Sequence, residues 1–461
     1  MCAGRTRLKF DTDVAHERDW LGIEIARHFS MTTRRLLFLL AVVTILLADP
    51  LSASSRRRAV RHPDPTPITP EEWLQTYAIP FATTEARSGL ADLAPLRTLV
   101  GDARIVSLGE ATHGSREMFT MKHRILEYLV EEMGFTVFAI EANLPEADRV
   151  DNYVLHGIGD PGAALTGMYF WTWDTDEVLD MIHWMREYNL RRGDKPPVRF
   201  RGFDAQFAHY AVPQVEAYIA RIDASSSPFF GARYACIRGK KPSDYRVLSA
   251  QMRNACVASL VEARNALEQR RADYTARSSA EEFERHLRYA DVVVQAENIW
   301  SNRGSRDRFM AQNVEYFADV AHPGEKIVLW AHNRHVATDA PYWQGSWLRL
   351  RFGDDMVIFG FVFDRGGFTA IGLSGLGPQR VESFPNGWDA FFRKAARPLF
   401  FLDLRNPPSE AVDRFLKTPN TTWAIGSTWY ADYAEMRWEV ALQRAFDVII
   451  YIEETTASRL R

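Results

Sequence analysis

The sequence predicts an α/β fold in which helices flank a mainly parallel central sheet. Short apolar runs rich in Val, Ile and Phe recur along the chain, and stretches of helical periodicity separate them. Continuous apolar runs of this length are typical of strands buried on both faces of a parallel sheet. Five such runs occur, at residues 103–110, 135–143, 198–204, 326–333 and 356–364.

A helix is predicted between the first two runs, over REMFTMKHRILEYLVEEM (116–133). Its apolar residues, including Phe119, Ile125 and Leu129, fall on one stripe, and Gly134 follows as a C-cap. Because strand, helix and strand follow one another at this spacing, we expect a βαβ unit and therefore parallel strands.

A charged, Ala-rich stretch of helical period occupies about residues 212–320. It predicts a helical insertion between the third and fourth strands, before the second His motif of the chain. The insertion could act as a lid or form one wall of a cleft. The alternative is a solvated pair of helices with no part in the site.

The composition indicates a globular protein without an electrostatic preference for nucleic acid. The 461 residues are 46% hydrophobic and 25% charged, and the net charge is −3. These fractions are close to globular averages and exclude disordered and fibrous classes. A nearly neutral chain has no global attraction to nucleic acid, so we expect no such partner.

The N-terminus predicts export. Thirteen apolar or near-apolar residues at 36–48 follow two arginines, a pattern typical of a signal peptide and too short to span a membrane. We therefore expect Met31 to be the true start, with residues 1–30 not translated, 31–53 a signal peptide and 54–72 a Pro-rich tether. The protein would then be periplasmic or secreted, without a stable membrane span. The alternative is a retained N-terminal anchor.

Export would place Cys236 and Cys256 in an oxidising compartment. A bridge between them would staple the helical insertion, although two isolated thiols are also compatible with the sequence. Neither cysteine lies in a chemical motif, so we interpret both as structural.

The predicted strands end in polar or ionisable side chains. Ligands of open parallel sheets bind outside the carboxyl ends of the strands, so these groups are expected to converge. A single carboxylate there can be a helix cap, and a single His a core residue, but several together favour a site. The candidates are Glu110, His113, Glu141, Asp204, His332 and His335.

Imidazole and carboxylate groups are the chemistry that remains after other mechanisms are excluded. No G-x-S-x-G elbow is present, and no Cys lies near a candidate site. A His beside a carboxylate can activate water directly as a general base. The spacings Glu110-x-x-His113 and His332-x-x-His335 also suit a divalent metal, so a catalytic metal stays open.

The motifs resemble those of the erythromycin esterase family, in the same order. The run LGEATHGSREMFTMKHRILEYLVEEMGFTVFAIEAN is similar to that family's strand, Gly-Glu-x-x-His, helix and Glu-ending strand. RGFDAQ, RDRFMAQNV, AHNRHV and AFDVIIYIEETT resemble later family motifs. The resemblance spans roughly residues 73–456, so we expect one catalytic domain over 73–461.

The resemblance implies an enzyme that opens a macrolide lactone, an antibiotic-resistance activity, by metal-independent hydrolysis. It implies that His113 is the general base and that Glu110 and Glu141 hold this base or the water. His332 and His335 would lie across the cleft and bind the ester oxygen or orient the water. The expected partner is a small ester or lactone, and no cofactor is required, although a divalent metal is not excluded. The oligomeric state stays open.

One departure concerns the cation on the predicted helix. Macrolide-active relatives resemble one another in carrying Arg before the helix His, whereas this chain has Lys122 before His123. Lys keeps the charge but loses the bidentate fork. Lys122, Arg124 and Asp204 are the expected substrate-binding residues. Alternative functions are a metal-dependent hydrolase on the same residues and a haem- or macrocycle-binding protein of related fold.

Overall fold

The computed structural model describes residues 68–430 and 433–461, and its central feature is a nine-stranded mixed sheet. The predicted signal and all but the last residues of the tether lie outside these ranges. The strands are β1 (Ile79–Pro80), β2 (Ile105–Leu108), β3 (Val137–Asn143), β4 (Arg199–Asp204), β5 (Ile327–Trp330), β6 (Met356–Gly372), β7 (Gly375–Val381), β8 (Leu399–Asp403), β9 (Asn420–Trp423), β10 (Arg437–Val440) and β11 (Val448–Thr455).

Helices cover both faces of the sheet. They are α1 (Pro70–Tyr77), α2 (Leu96–Val100), α3 (Arg116–Met133), α4 (Leu144–His156), α5 (Pro161–Thr166), α6 (Asp176–Arg191), α7 (Ala211–Ile222), α8 (Ser227–Tyr234), α9 (Pro242–Arg246), α10 (Ala250–Gln269), α11 (Arg271–Arg277), α12 (Ala280–Trp300), α13 (Arg306–Tyr316), α14 (Asn333–Val336), α15 (Gln344–Phe352), α16 (Trp388–Phe392), α17 (Glu410–Lys417) and α18 (Leu442–Ala445).

The predicted α/β class with a mainly parallel sheet is confirmed. The order is β1-β8-β11-β6-β2-β5-β3-β4, and the six strands from β11 to β4 run parallel. Strand β8 joins one edge antiparallel to β11, and β7 folds back on the long β6 as a hairpin. A separate pair joins β9 to β10. The five predicted runs correspond to β2 to β6, and β6 continues beyond its predicted end to form the hairpin.

Alternate residues of the central strands enter two separate cores, one on each face of the sheet. Ile105 and Ile327 pack into the core under the insertion, whereas their neighbours Val106 and Val328 pack into the core under α3. Side chains of a strand alternate between faces, so a strand covered on both sides must be apolar throughout. This explains the continuous apolar runs.

Helix α3 has the predicted bounds because its ends are capped. The hydroxyl of Ser115 accepts a hydrogen bond from the Met118 N–H, and Gly134 ends the helix with φ of 72°. Glycine accepts this left-handed conformation without a steric penalty. The cap places the start of α3 directly after the loop that follows β2.

The stretch between β4 and β5 is helical, as expected, and consists of α7 to α13. It packs into the core on one face of the sheet and buries Tyr218, Tyr234 and Tyr274. A disulfide joins Cys236 to Cys256 within it. The insertion is therefore a packed layer of the fold. No helix among the described residues is long and apolar enough to cross a membrane.

Candidate active site

The predicted strand-end residues converge at one edge of the sheet. Strands β2, β5, β3 and β4 are consecutive neighbours in the sheet. Their carboxyl ends carry Glu110, His332, Glu141 and Asp204 in that order, and His335 follows on α14. The arrangement is the one expected for a ligand site of a parallel sheet.

His113 and Glu110 form a hydrogen-bonded pair in the loop between β2 and α3. The Nδ1 of His113 lies 2.6 Å from Oε1 of Glu110, whose side chain is fully buried. A carboxylate oxygen accepts, so the Nδ1–H of His113 donates to it and the lone pair of the imidazole lies on Nε2. The His113 side chain is 13% exposed, so the ring lies at the edge of the buried network.

Two further donors hold the other oxygen of Glu110. Lys122 Nζ donates to Oε2 at 2.6 Å, and the Trp330 indole N–H donates to it at 2.7 Å. Lys122 is fully buried, with its ammonium 4.2 Å from the centre of the Trp330 ring. Burial lowers the pKa of Lys122 to about 8, against the opposing pull of Glu110. Lys122 therefore remains charged at neutral pH and lies as a buried cation against Glu110.

His332 places a free donor beside His113. The two rings lie 5.1 Å apart between centres. The backbone N–H of Arg334 donates to Nδ1 of His332, which leaves the proton of the neutral ring on Nε2. Burial holds the pKa of His332 well below its ordinary value, and electrostatic interactions with the neighbouring imidazoles of His113 and His335 add to this effect. Nε2 is buried and has no hydrogen-bond partner among the described residues.

Glu141 is an ionised buried anchor. Its Oε1 accepts from Arg306 at 2.6 Å, and its Oε2 accepts from the backbone N–H of His332 at 2.9 Å. Burial alone would raise the pKa of Glu141, but electrostatic interactions with His335, Arg306 and His113 outweigh it and hold the pKa well below its usual range. Glu141 therefore fixes the position of His332.

His335 is held on both sides of its ring. Nδ1 lies 2.9 Å from Oδ2 of Asp307, and Nε2 lies 3.3 Å from Oε1 of Glu141 and 3.1 Å from Arg306. Burial opposes protonation, but the carboxylates of Asp307 and Glu141 outweigh it and raise the pKa of His335. Because both ring nitrogens are engaged, His335 supports the network and does not present a free base.

The loop that carries His113 is fixed by close backbone contacts. Gly114 packs against the backbone of Thr369 on β6, where a Cβ on residue 114 would collide with the Thr369 carbonyl oxygen. The Thr369 N–H donates to Gly114 O, and the Ile425 N–H donates to Ala111 O. The loop is thus clamped between the hairpin strand and the segment after β9.

Two of the three expected substrate-binding residues are engaged inside this network. Lys122 is buried against Glu110, and Asp204 is buried and accepts from Arg306 at 2.7 Å. Both therefore position other side chains.

The third, Arg124, lies outside the cluster. Its guanidinium pairs with Asp92 and donates to the carbonyls of Thr83 and Gly89, on another side of α3. The expectation that Arg124 binds substrate is therefore not supported by its placement.

Sequence reasoning did not single out four residues that complete the network. Arg306 and Asp307 begin α13 and hold Glu141, Asp204 and His335. Trp330 holds Glu110, and Trp173 donates to the Glu141 carbonyl while its ring lies edge-on to His113 at 5.7 Å. Arg306 and Asp307 are the first two residues of the RDRFMAQNV motif, but the motif alone does not indicate what either residue contacts.

In the described part of the chain, no group of three or more His, Cys, Asp or Glu side chains has the arrangement of a metal site. The two buried carboxylates of the site are already bound by protein donors. Glu110 accepts hydrogen bonds from Lys122 and Trp330, and Glu141 accepts one from Arg306.

Comparisons with known proteins agree with the motifs. The family described as "Erythromycin esterase" matches residues 130–455. Erythromycin esterase type II of Escherichia coli is 24% identical, over 85% of this chain and 99% of its own length. The putative hydrolase YbfO of Bacillus subtilis strain 168 is 23% identical, over 84% of this chain and 91% of its own.

A solved structure shows the same fold. A crystal structure of a Bacillus cereus protein matches 85% of this chain and 98% of its own, with a TM-score of 0.77 and 28% identity. The family match covers more than half of the sequence, and the site motifs lie where the sheet brings them together. The chain therefore belongs to the erythromycin esterase family, which places it among the esterases and makes it a hydrolase of small molecules.

Proposed function

We propose that the protein hydrolyses a carboxylic ester or lactone by direct attack of water that His113 deprotonates. The observation that carries the proposal is the His113–Glu110 pair beside the unpartnered Nε2–H of His332. A base with a free lone pair and a donor at short range are the two parts that ester hydrolysis needs.

The steps follow from the hydrogen bonds. Nε2 of His113 takes a proton from water as the oxygen attacks the carbonyl carbon. The oxyanion that forms accepts a hydrogen bond from Nε2–H of His332. His113 then returns the proton to the departing alkoxide, and ionised Glu110 stabilises the imidazolium in between. A lactone gives a hydroxy acid, and no covalent bond to the protein is formed.

A macrolide-type lactone is the proposed substrate. Support comes from the similarity to erythromycin esterase type II of Escherichia coli, which extends over nearly the whole length of that enzyme. The cation behind Glu110 is Lys122 here, and its full burial supports a role toward Glu110 and not toward the substrate. The residue therefore does not argue against this substrate.

Mass spectrometry of a macrolide incubated with the purified protein tests the proposal. We expect the gain of one water in the presence of a chelator, and its loss in His113→Ala. If hydrolysis stops with chelator and returns with zinc or manganese, the same side chains serve a metal. If a folded protein hydrolyses neither macrolides nor a panel of simple esters, the proposal fails.

We also propose that the protein acts outside the cytoplasm. The short apolar run at residues 36–48 supports export, and the bond between Cys236 and Cys256 suits an oxidising compartment. Cell fractionation with an antibody to the catalytic domain tests this. Recovery of the protein in the cytoplasm with both thiols free would contradict it.

A further inference from the structure

Unpartnered polar atoms are concentrated in one segment next to the site. Among the described residues, seven buried side-chain nitrogen or oxygen atoms without a hydrogen-bond partner lie between residues 332 and 347. One is Nε2 of His332, already assigned above. Gln344 contributes both atoms of its amide, although the residue is only 1% exposed. A buried polar group without a partner is costly, so such a concentration indicates groups that pair with a ligand.

Most of the unpartnered groups lie in the segment that runs from α14 to the start of α15. Apart from His332 and the indole N–H of Trp347, they are Nε of Arg334, Oδ1 of Asp339, Nε1 of Trp343 and both amide atoms of Gln344, here called the Gln344 cluster. Asp339 interacts with both Arg334 and Trp343, although Oδ1 and the indole N–H do not reach hydrogen-bond geometry. Arg334, Asp339 and Trp343 are therefore one local group, and Gln344 follows Trp343 directly in the chain.

The Gln344 cluster adjoins the catalytic residues. The ring of Trp343 lies 6.3 Å from that of His335, at 90°. The backbone N–H of Gln344 donates to Oδ2 of Asp307, the atom that also holds His335. The cluster therefore lies directly beside His335, on the side of the ring that faces Trp343.

The chemistry of the cluster selects among ligands. Arg334 and Trp343 donate, Asp339 accepts, and the Gln344 amide does both. A phosphate or carboxylate cannot donate to the acceptors, and an ammonium cannot accept from the donors. Hydroxyl groups do both. The ring of Tyr342, half exposed and 4.6 Å from that of Trp343, adds the aromatic surface on which a sugar ring can pack.

We propose that the Gln344 cluster is a subsite that binds a glycosyl or similarly polyhydroxylated part of the ester substrate. The inference rests on the proposed esterase function and adds a class of substrate to it. The reactive ester carbon lies at His113 and His332, and the hydroxylated part of the molecule lies along the start of α15.

The test compares esters of one acid that differ only in the alcohol. Monoacetylated methyl hexosides of gluco, galacto and manno configuration are compared with ethyl acetate. We expect at least one hexoside to be preferred about tenfold or more in kcat/KM, because a site built to hydrogen-bond hydroxyls rejects an alcohol that lacks them. Trp343→Phe removes the indole N–H and keeps a six-membered aromatic ring, and Gln344→Met replaces the amide by an apolar group of similar length. Each should lower the preference about tenfold, through KM.

Ser346→Ala is the matched control, since its hydroxyl already bonds the Ala340 carbonyl in the same segment. It should leave the preference unchanged. Equal kcat/KM for hexosides and ethyl acetate, or a preference that survives both variants, would overturn the subsite.

Failure of the esterase function would show itself differently, as no hydrolysis of any ester. The subsite is then tested alone by titrating the unacylated methyl hexosides and following tryptophan fluorescence. Saturable binding that Gln344→Met abolishes would support the subsite, and no binding would overturn it.

Discussion

Replacing Lys122 by Met tests the electrostatic design beneath the catalytic pair. The ammonium of Lys122 lies 2.6 Å from Oε2 of Glu110, and both side chains are fully buried. Removing one partner of a buried ion pair leaves an uncompensated charge, which costs about 3–5 kcal/mol. We therefore expect the free energy of unfolding of Lys122→Met to fall by about that amount, unless Glu110 takes up a proton instead.

Either outcome for Glu110 lowers activity. An ionised Glu110 without its cation destabilises the loop, and a protonated one no longer stabilises the imidazolium of His113. We expect kcat/KM to fall by about 100-fold or more. The second substitution in Lys122→Met/Glu110→Gln removes the stranded charge, so it should recover most of the lost stability and none of the activity.

Urea unfolding followed by tryptophan fluorescence measures the stabilities, and ester hydrolysis measures the rates. Lys195→Met is the matched control, because Lys195 is exposed and its loss should change stability by no more than about 0.5 kcal/mol. The reasoning is refuted if Lys122→Met unfolds like the wild type, or if the double variant is no more stable than Lys122→Met.

Three further predictions concern other parts of the network. Trp330→Phe removes the indole donor to Glu110 and should lower kcat/KM about tenfold, the effect of one hydrogen bond to a charged group; an unchanged rate would contradict the role. Gly114→Ala should lower Tm and displace the His113 loop, because the new Cβ meets the Thr369 carbonyl; wild-type Tm and rate would argue against the clamp. Burial raises the pKa of Glu127 to about 7 from an ordinary 4.5, so the folded state holds an extra proton between these values and loses stability as pH rises through them. Glu127→Gln should therefore have a higher Tm than the wild type at about pH 8 and an equal Tm at about pH 5; a difference that does not change with pH would contradict the assignment.

The sequence predicted the elements whose pattern is decided locally. Strands β2, β3 and β5 are buried along their whole length because both faces of the sheet are covered, and α3 carries its own caps in Ser115 and Gly134. Strand β7 was not predicted, because most of its residues are exposed and it contains Gly and Pro. Strand β8 is short and runs antiparallel to β11. Its place in the sheet depends on this pairing with a strand much later in the chain, which the local sequence does not indicate.

The sequence predicts those residues of the candidate site that directly follow the ends of the parallel strands. Lys122 and Arg124 show the limit of that reasoning. Two residues apart on a helix, they lie on nearly opposite sides, so Lys122 reaches Glu110 while Arg124 reaches Asp92. The role of Arg306 depends on how α13 packs beside β4. This packing joins residues far apart in the sequence, so no local pattern predicts it.

In the proposed mechanism His113 activates water without a metal. The most direct measurement is the rate of ester hydrolysis by the wild type and by His113→Ala after exhaustive treatment with a chelator. The account predicts that the wild type keeps its rate and that the variant loses at least about 100-fold. A wild-type rate that disappears on chelation and returns with added zinc, or a variant that keeps its activity, would contradict it.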